Sequence, residues 1–428
     1  MKLQQSKRNT YLFIITLSYI LTATLIFTGL YFIMKKNSKN KGQQNDTPPF
    51  AENISKNNNI DAAVWIATVS NINYPSRQGL SAIELALELE AIVDNVQKLG
   101  ADTIFFQVRP SADALYKSDL FPCSEFVSGT RGDEADGGFD SLSYIISRAH
   151  KKGISVHAWI NPSRVLCAAS SSSQRSVLCE GEAGYIHPEW TVEYADGNLY
   201  FDLGIPEVRA LIADGIYEVV SRYAVDGVVF DDYFYPYPVK NSGGRIVDFA
   251  DSTTYQKYGR GLSLGEFRRE SVRALIRVSR NATKKANANA LFGISPFGIW
   301  KNSYEDGGAG TSGAESYYDI YCDTISFARE GTVDYVSPQL YWEIGCREAD
   351  FLSLALWWQN ALSETRCAYL PCIAPYRYSE GRYSQGELTR QLDYLRGLSH
   401  VSGIALYGYD ALVKNKIAHE EVARFLKG

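Results

Sequence analysis

Between residues 62 and 408 one pattern recurs: a short apolar or β-branched run, then polar or aromatic residues, then a longer stretch with helical spacing. The runs are AAVWIATV (62–69), DTIFFQV (102–108), ISVHAWI (154–160) and VDGVVFD (225–231), followed by ALFGISPF (290–297), VDYVSPQLYW (333–342), AYLPCIA (368–374) and VSGIALYG (401–408). Helical segments lie between them at 81–100, 142–153, 206–223 and 264–286. Eight strands that read as buried on both faces, alternating with helices, predict an α/β fold of the (β/α)8 TIM-barrel type. A doubly wound sheet is the runner-up, but no Gly-x-Gly-x-x-Gly follows the first run.

Ahead of the repeats, residues 11–34 form 24 consecutive uncharged residues, enough to cross a bilayer as a helix. The expected organisation is a basic segment (1–10), a transmembrane anchor or uncleaved signal (11–34), a polar linker (35–58) and a barrel domain (59–428). A cleaved signal peptide is the alternative, and would leave the domain secreted. The flanking lysines and arginine are too evenly distributed to set topology. A single N-terminal anchor before one large domain suggests export, to the periplasm or cell-wall side.

The chain carries 43 basic and 48 acidic residues, so no basic surplus argues for nucleic acid. Seven cysteines and five histidines show no metal-ligand spacing, and neither a metal nor a cofactor is expected. In an exported domain, Cys167 and Cys179 can close the Ser/Ala-rich segment between them as a disulfide, or stand as two thiols.

In a barrel, chemistry gathers at the C-terminal ends of the strands. The fourth run ends there in Asp231-Asp232-Tyr233. Strand alternation predicts that the two acids point differently, one towards substrate and one towards a neighbouring loop or arginine. The second run contributes Gln107 and Arg109 to the same rim, the third His157, Trp159, Asn161 and Arg164. The fifth contributes Ser295 and Phe297; the sixth, Gln339, Tyr341 and Trp342; the last two lead to Tyr376 and Tyr407. Polar groups among flat rings suit a carbohydrate groove, in a chain with 29 Tyr, 19 Phe and 7 Trp. Glycoside hydrolysis ordinarily needs two carboxyls. One comes from Asp231 or Asp232, and Glu343, next to Tyr341-Trp342, is the best-placed partner. Glu305 and Glu380 are weaker candidates.

These segments also carry a resemblance. AVWIATVSNINYPS (63–76), FFQVRPSADALYKSDLFPCSEFVSG (105–129), HAWINPSRV (157–165), VDGVVFDDYFYP (225–236), FGISPFGIWKN (292–302) and VDYVSPQLYW (333–342) make the chain similar to the glycosyl-hydrolase-like family 10. The resemblance spans about residues 62–410. It implies an exported or envelope-attached bacterial barrel hydrolase, some relatives of which are associated with peptide-free peptidoglycan strands. The expected partner is therefore a polysaccharide, with Arg109 placed to meet the lactyl carboxylate of a muramic residue. Two other classes compete: a carbohydrate-binding or wall-organising protein that keeps the barrel without catalysis, and a barrel esterase or deacetylase. The last lacks a recognisable nucleophile elbow.

Overall fold

The computed structural model describes residues 60–167 and 175–428. The anchor and linker expected at 11–34 and 35–58 lie outside these residues. Among the described residues, no helix is long and apolar enough to cross a membrane.

All eight runs become strands of one parallel sheet: β1 (Ala62–Ile66), β2 (Thr103–Arg109), β3 (Ser155–Ile160), β4 (Gly227–Phe230), β5 (Leu291–Ile294), β6 (Tyr335–Val336), β7 in two pieces (Ala368–Tyr369 and Cys372–Ile373) and β8 (Ile404–Leu406). Strands β1 to β6 neighbour one another in sequence order, and β8 lies beside β1. The first piece of β7 pairs with β6, the second with β8. The sheet thus curls until both its ends are halves of one segment, a TIM-like α/β fold. Pro371, which has no N–H to give a ladder, separates the two halves.

The long helices cover the outside of the sheet, and their ends are written in the sequence. Ser81 caps the helix Ala82–Leu99 in a reciprocal box with Glu84, and Gly100 ends it at φ 95°, a conformation glycine adopts without a Cβ penalty. Its stripe of Leu85, Leu89, Ile92, Val93 and Val96 is buried. The helix Leu264–Ala286 starts with the same box, Ser263 with Glu266.

Inside the sheet lies a second core whose largest side chains are aromatic. Phe105 and Tyr335 stack at 5.9 Å, and Trp65 stands edge-on to Phe105 at 4.6 Å and to Trp159 at 4.9 Å. His157 Nδ1 is hydrogen-bonded to the Tyr335 hydroxyl at 2.8 Å. These large rings fit because adjacent strands supply glycines. A Cβ on Gly227 would lie 2.5 Å from the His157 ring, and one on Gly293 would lie 2.2 Å from the Tyr335 ring. His157 is therefore part of the filling beneath the rim.

Between β3 and β4 the chain adds a small antiparallel sheet of Arg164–Leu166, Leu199–Phe201 and Thr191–Glu193, with the middle strand in sequence at its edge. Buried ion pairs fasten the rim loops. Arg131 joins Glu182 at 2.7 Å, and Arg268 forks onto both oxygens of Asp251 at 2.9 and 2.7 Å.

Candidate active site

At the C-terminal ends of the strands is a cavity of about 330 Å³. Its wall includes Trp65, Gln107, Trp159, Arg164, Asp231, Asp232, Tyr233, Tyr237, Ser295, Gln339, Tyr341 and Tyr407, with Ile72 half-exposed at its margin. Asp231 and Asp232 both line it, contrary to the divergence expected from strand alternation. The reason is that β4 ends at Phe230. Both acids belong to the turn beyond it, where the two-residue period no longer applies.

The two carboxyls are buried and differently held. Asp231 Oδ2 accepts from the Trp159 indole N–H at 2.9 Å and from Asn161 Nδ2 at 3.2 Å. Its Oδ1 receives only a longer contact, 3.3 Å from the Tyr233 backbone N–H. Burial pushes the Asp231 carboxyl up to about 7, and the neighbouring Asp232 charge adds to the rise; Arg164 and the Trp159 and Tyr233 donors oppose it. Asp232 Oδ2 accepts from the Tyr237 hydroxyl. Burial raises this carboxyl too, while hydrogen bonds from Tyr237 and Gln339 pull it back. Two buried acids side by side resist simultaneous ionisation.

Rings and a cation frame the pair. Tyr233 and Tyr237 stack at 4.8 Å with 11° between planes, and the Arg164 guanidinium lies 4.7 Å over Tyr233. Arg164 is fixed there by donating to Pro110 O at 2.9 and 2.7 Å. Elsewhere on the wall, Tyr341 and Tyr407 stack at 5.7 Å. Gln107 accepts from the backbone N–H groups of Thr68 and Val69 at 2.8 and 2.9 Å, which leaves its buried Nε2 as a donor with no acceptor among the described residues.

Other expected residues stand behind this wall. Asn161 orients Asp231 and accepts from Arg164 N at 2.9 Å. Phe297 supports Tyr237 edge-on at 5.1 Å, and Tyr376 supports Tyr341 and Tyr407 at 5.9 and 5.8 Å. Trp342 contributes its backbone oxygen to Tyr383 and Gln391.

Three expectations need correction. Arg109 does not reach the cavity; it is buried with its guanidinium 3.9 Å over Phe121 and close against Gly215 of the helix Pro206–Arg222. The pairing of β2 with β3 shifts register between Gln107 and Arg109, so two residues that alternation puts on one face separate. Glu343 is half-buried on the loop after β6 and is not part of the cavity wall; Glu305 is exposed and Glu380 pairs with Arg377 at 2.8 Å. No disulfide joins Cys167 to Cys179, whose Sγ donates instead to Arg131 O at 3.3 Å. The intervening residues 168–174 lie outside the described part.

Sequence reasoning missed Tyr237 and Trp65. The repeat of Tyr-Pro in YFYPYP was a usable signal for Tyr237. Trp65 sits within an apolar strand and gave none.

A TIM-like fold with a pair of buried carboxyls among aromatic rings at its strand ends defines a glycoside-hydrolase class of site. The chain belongs to the glycosyl hydrolase-like 10 family, whose model matches residues 62–386. It is 36% identical to the glycosyl hydrolase YngK of Bacillus subtilis (strain 168), over 83% of this chain and 70% of that protein. It is 34% identical to the glycosyl hydrolase DigH of Escherichia coli (strain K12), over 85% of this chain and 86% of that protein. Among solved structures, the glycoside hydrolase domain of PgaB (BpsB) from Bordetella bronchiseptica shares the fold, with a TM-score of 0.53 at 14% identity, covering 85% of this chain and 98% of that one. The protein is a glycoside hydrolase.

Proposed function

We propose that the protein cleaves glycosidic bonds in a cell-envelope polysaccharide, with peptide-free peptidoglycan strands as the substrate and Asp231 as the general acid. The observation that carries this reading is the pairing of two buried carboxyls, Asp231 and Asp232, in one ring-lined cavity. The raised Asp231 carboxyl keeps a proton near neutral pH, as a group that must protonate a leaving oxygen should. Its Oδ2 is occupied by Trp159 and Asn161, so Oδ1 is the oxygen left to carry that proton. Asp232 is the companion anion, with Tyr237 fixing one of its oxygens. Tyr341, Tyr407 and Trp65 line the space with rings for a pyranose to pack on, and Gln107 Nε2 offers a donor to a substrate oxygen.

The envelope assignment draws support from the apolar segment at 11–34, read as a membrane anchor that holds the domain on the outer side. Glu343 has no role in this scheme. The test is to digest peptide-free strands, peptide-bearing strands and an unrelated β-glucan, and to analyse released fragments by mass spectrometry. Hexosamine oligomers from peptide-free strands support the reading; release only from the glucan, or from none, contradicts it.

A further inference from the structure

The reaction needs something to attack the anomeric carbon, and the cavity limits what that can be. Among the described residues, Asp231 and Asp232 are the only acids in its wall. They are consecutive in sequence, about 3.8 Å apart at their Cα atoms, and both follow β4. An enzyme that uses one carboxyl as acid and another as nucleophile sets them on opposite sides of the scissile bond, about 5 Å apart or slightly more. Side chains rooted on adjacent Cα atoms at the end of one strand both enter from the β4 edge of the cavity, and among the described residues no carboxyl of the wall faces them from another strand. Across the ring from β4 lie β8 and β1, which supply Tyr407 and Trp65, and β5 and β6 lead to Ser295, Gln339 and Tyr341. None of these is an anionic nucleophile at neutral pH, and burial raises the Tyr341 and Tyr407 hydroxyls further from ionisation.

We propose that the attacking atom belongs to the substrate: the carbonyl oxygen of a 2-acetamido group on the sugar whose bond is cut, with Asp232 holding the amide N–H and Asp231 acting as acid and then base. This deepens the reading of a 2-acetamido glycan as substrate and rests on it. The sugar's own amide brings its oxygen to the face of C1 away from a trans leaving group, where the wall has no carboxyl, while its N–H stays at the C2 edge of the ring, towards Asp232. An attached nucleophile also gains the large effective concentration of an intramolecular reaction.

The steps balance. Asp231 gives its Oδ1 proton to the glycosidic oxygen as the C1–O bond breaks, and the acetamido oxygen forms a new bond to C1. The product is a five-membered oxazolinium ring whose N–H is held by the Asp232 carboxylate. Asp231, now a carboxylate, takes a proton from water as its oxygen adds to C1 on the original face. The ring opens, the acetamide is restored, and configuration is retained at the cost of one water. Tyr237 serves here as a positioning residue, since its hydroxyl fixes Asp232.

The test uses the full-length protein and peptide-free peptidoglycan strands that have been N-deacetylated and then re-acylated with either acetyl or trifluoroacetyl groups. Fluorine withdraws electrons from the amide oxygen without altering the carboxyls. The expected result is that re-acetylated strands are cut like native ones, while trifluoroacetylated strands react at least about tenfold more slowly. New reducing ends should first appear by NMR with the original anomeric configuration, and the 1,2-thiazoline of N-acetylglucosamine should inhibit competitively. Equal rates on both strands, or inverted products, would overturn the inference while leaving a glycan hydrolase in place. Failure to cut the re-acetylated strands would remove the 2-acetamido substrate, and this inference with it.

Discussion

The Trp159 indole N–H donates to Asp231 Oδ2 at 2.9 Å, so a ring of the inner core fixes the orientation of the acid above it. Trp159 is itself packed edge-on against Trp65, which stands on Phe105. The strand interior and the rim chemistry are thus one continuous stack. Changing Trp159 to Phe keeps a ring but removes the donor. A hydrogen bond to a charged group contributes about 1.5–3 kcal/mol, so kcat/KM should fall by about 10- to 100-fold. The lost donor favoured the ionised carboxyl, so the alkaline limb of the pH–rate profile should move upward. A profile measured from pH 5 to 9 checks both.

Asp231 also couples stability to pH. Burial and the neighbouring Asp232 charge push its carboxyl up to about 7 in the fold, from near 3.9 in an unfolded chain. Between these values the folded state binds more protons, so this group's contribution to stability is full below about pH 4 and declines as pH rises to about 7. Asp231→Asn removes that decline. The melting temperature of the variant relative to the parent should increase from pH 5 to pH 8, measured by calorimetry at several pH values.

Tyr237 gives its hydroxyl proton to Asp232 while its ring stacks on Tyr233. Tyr237→Phe preserves the stack and removes the bond. Activity should drop by about 10-fold or more, with the fall in kcat and little change in melting temperature. Because the hydroxyl favoured the Asp232 anion, the acidic limb of the profile should shift upward.

Gly227 is set by its neighbour rather than by its own backbone. A methyl group there would collide with the His157 ring and with Leu291 O at 2.8 Å. Gly227→Ala should destabilise the fold by about 1–3 kcal/mol, read by urea unfolding. Gly137 has nothing within 4 Å of an added Cβ, but its φ of 59° gives any destabilisation there a backbone origin.

Arg109 provides a contrast with the sequence expectation. It packs on Phe121 and against Gly215 of the helix Pro206–Arg222 and is not part of the cavity wall. Arg109→Met should therefore leave KM for a glycan within about twofold, whereas a carboxylate-binding arginine would raise it strongly. Steady-state kinetics on a soluble oligosaccharide distinguishes the two.

The eight strands were legible because a strand buried on both faces is largely apolar, and polar or aromatic residues follow each run where the rim begins. The helix ends were legible for a local reason, since Gly100 and the caps at Ser81 and Ser263 act within a turn. The site was only half legible. Asp231, Trp159, Gln107, Gln339, Tyr341 and Tyr407 lie where strand ends put them. Arg109 does not, because a register shift in β2 is invisible in the order of residues. Glu343 failed for a similar reason: being next to Tyr341-Trp342 in sequence does not fix where a loop turns. Tyr237 joins the wall through the fold of the turn after β4, which no periodicity describes.

In the proposed reaction Asp231 supplies the proton and Asp232 acts beside it. The most direct measurement of these roles is kcat/KM for peptide-free glycan strands with the parent protein, Asp231→Asn and Asp232→Asn, each checked for an unchanged fold by circular dichroism. Losses of about 100-fold or more are expected in both variants, with Glu343→Gln close to the parent. Parent-like cleavage by Asp231→Asn, or a loss confined to Glu343→Gln, would contradict these roles.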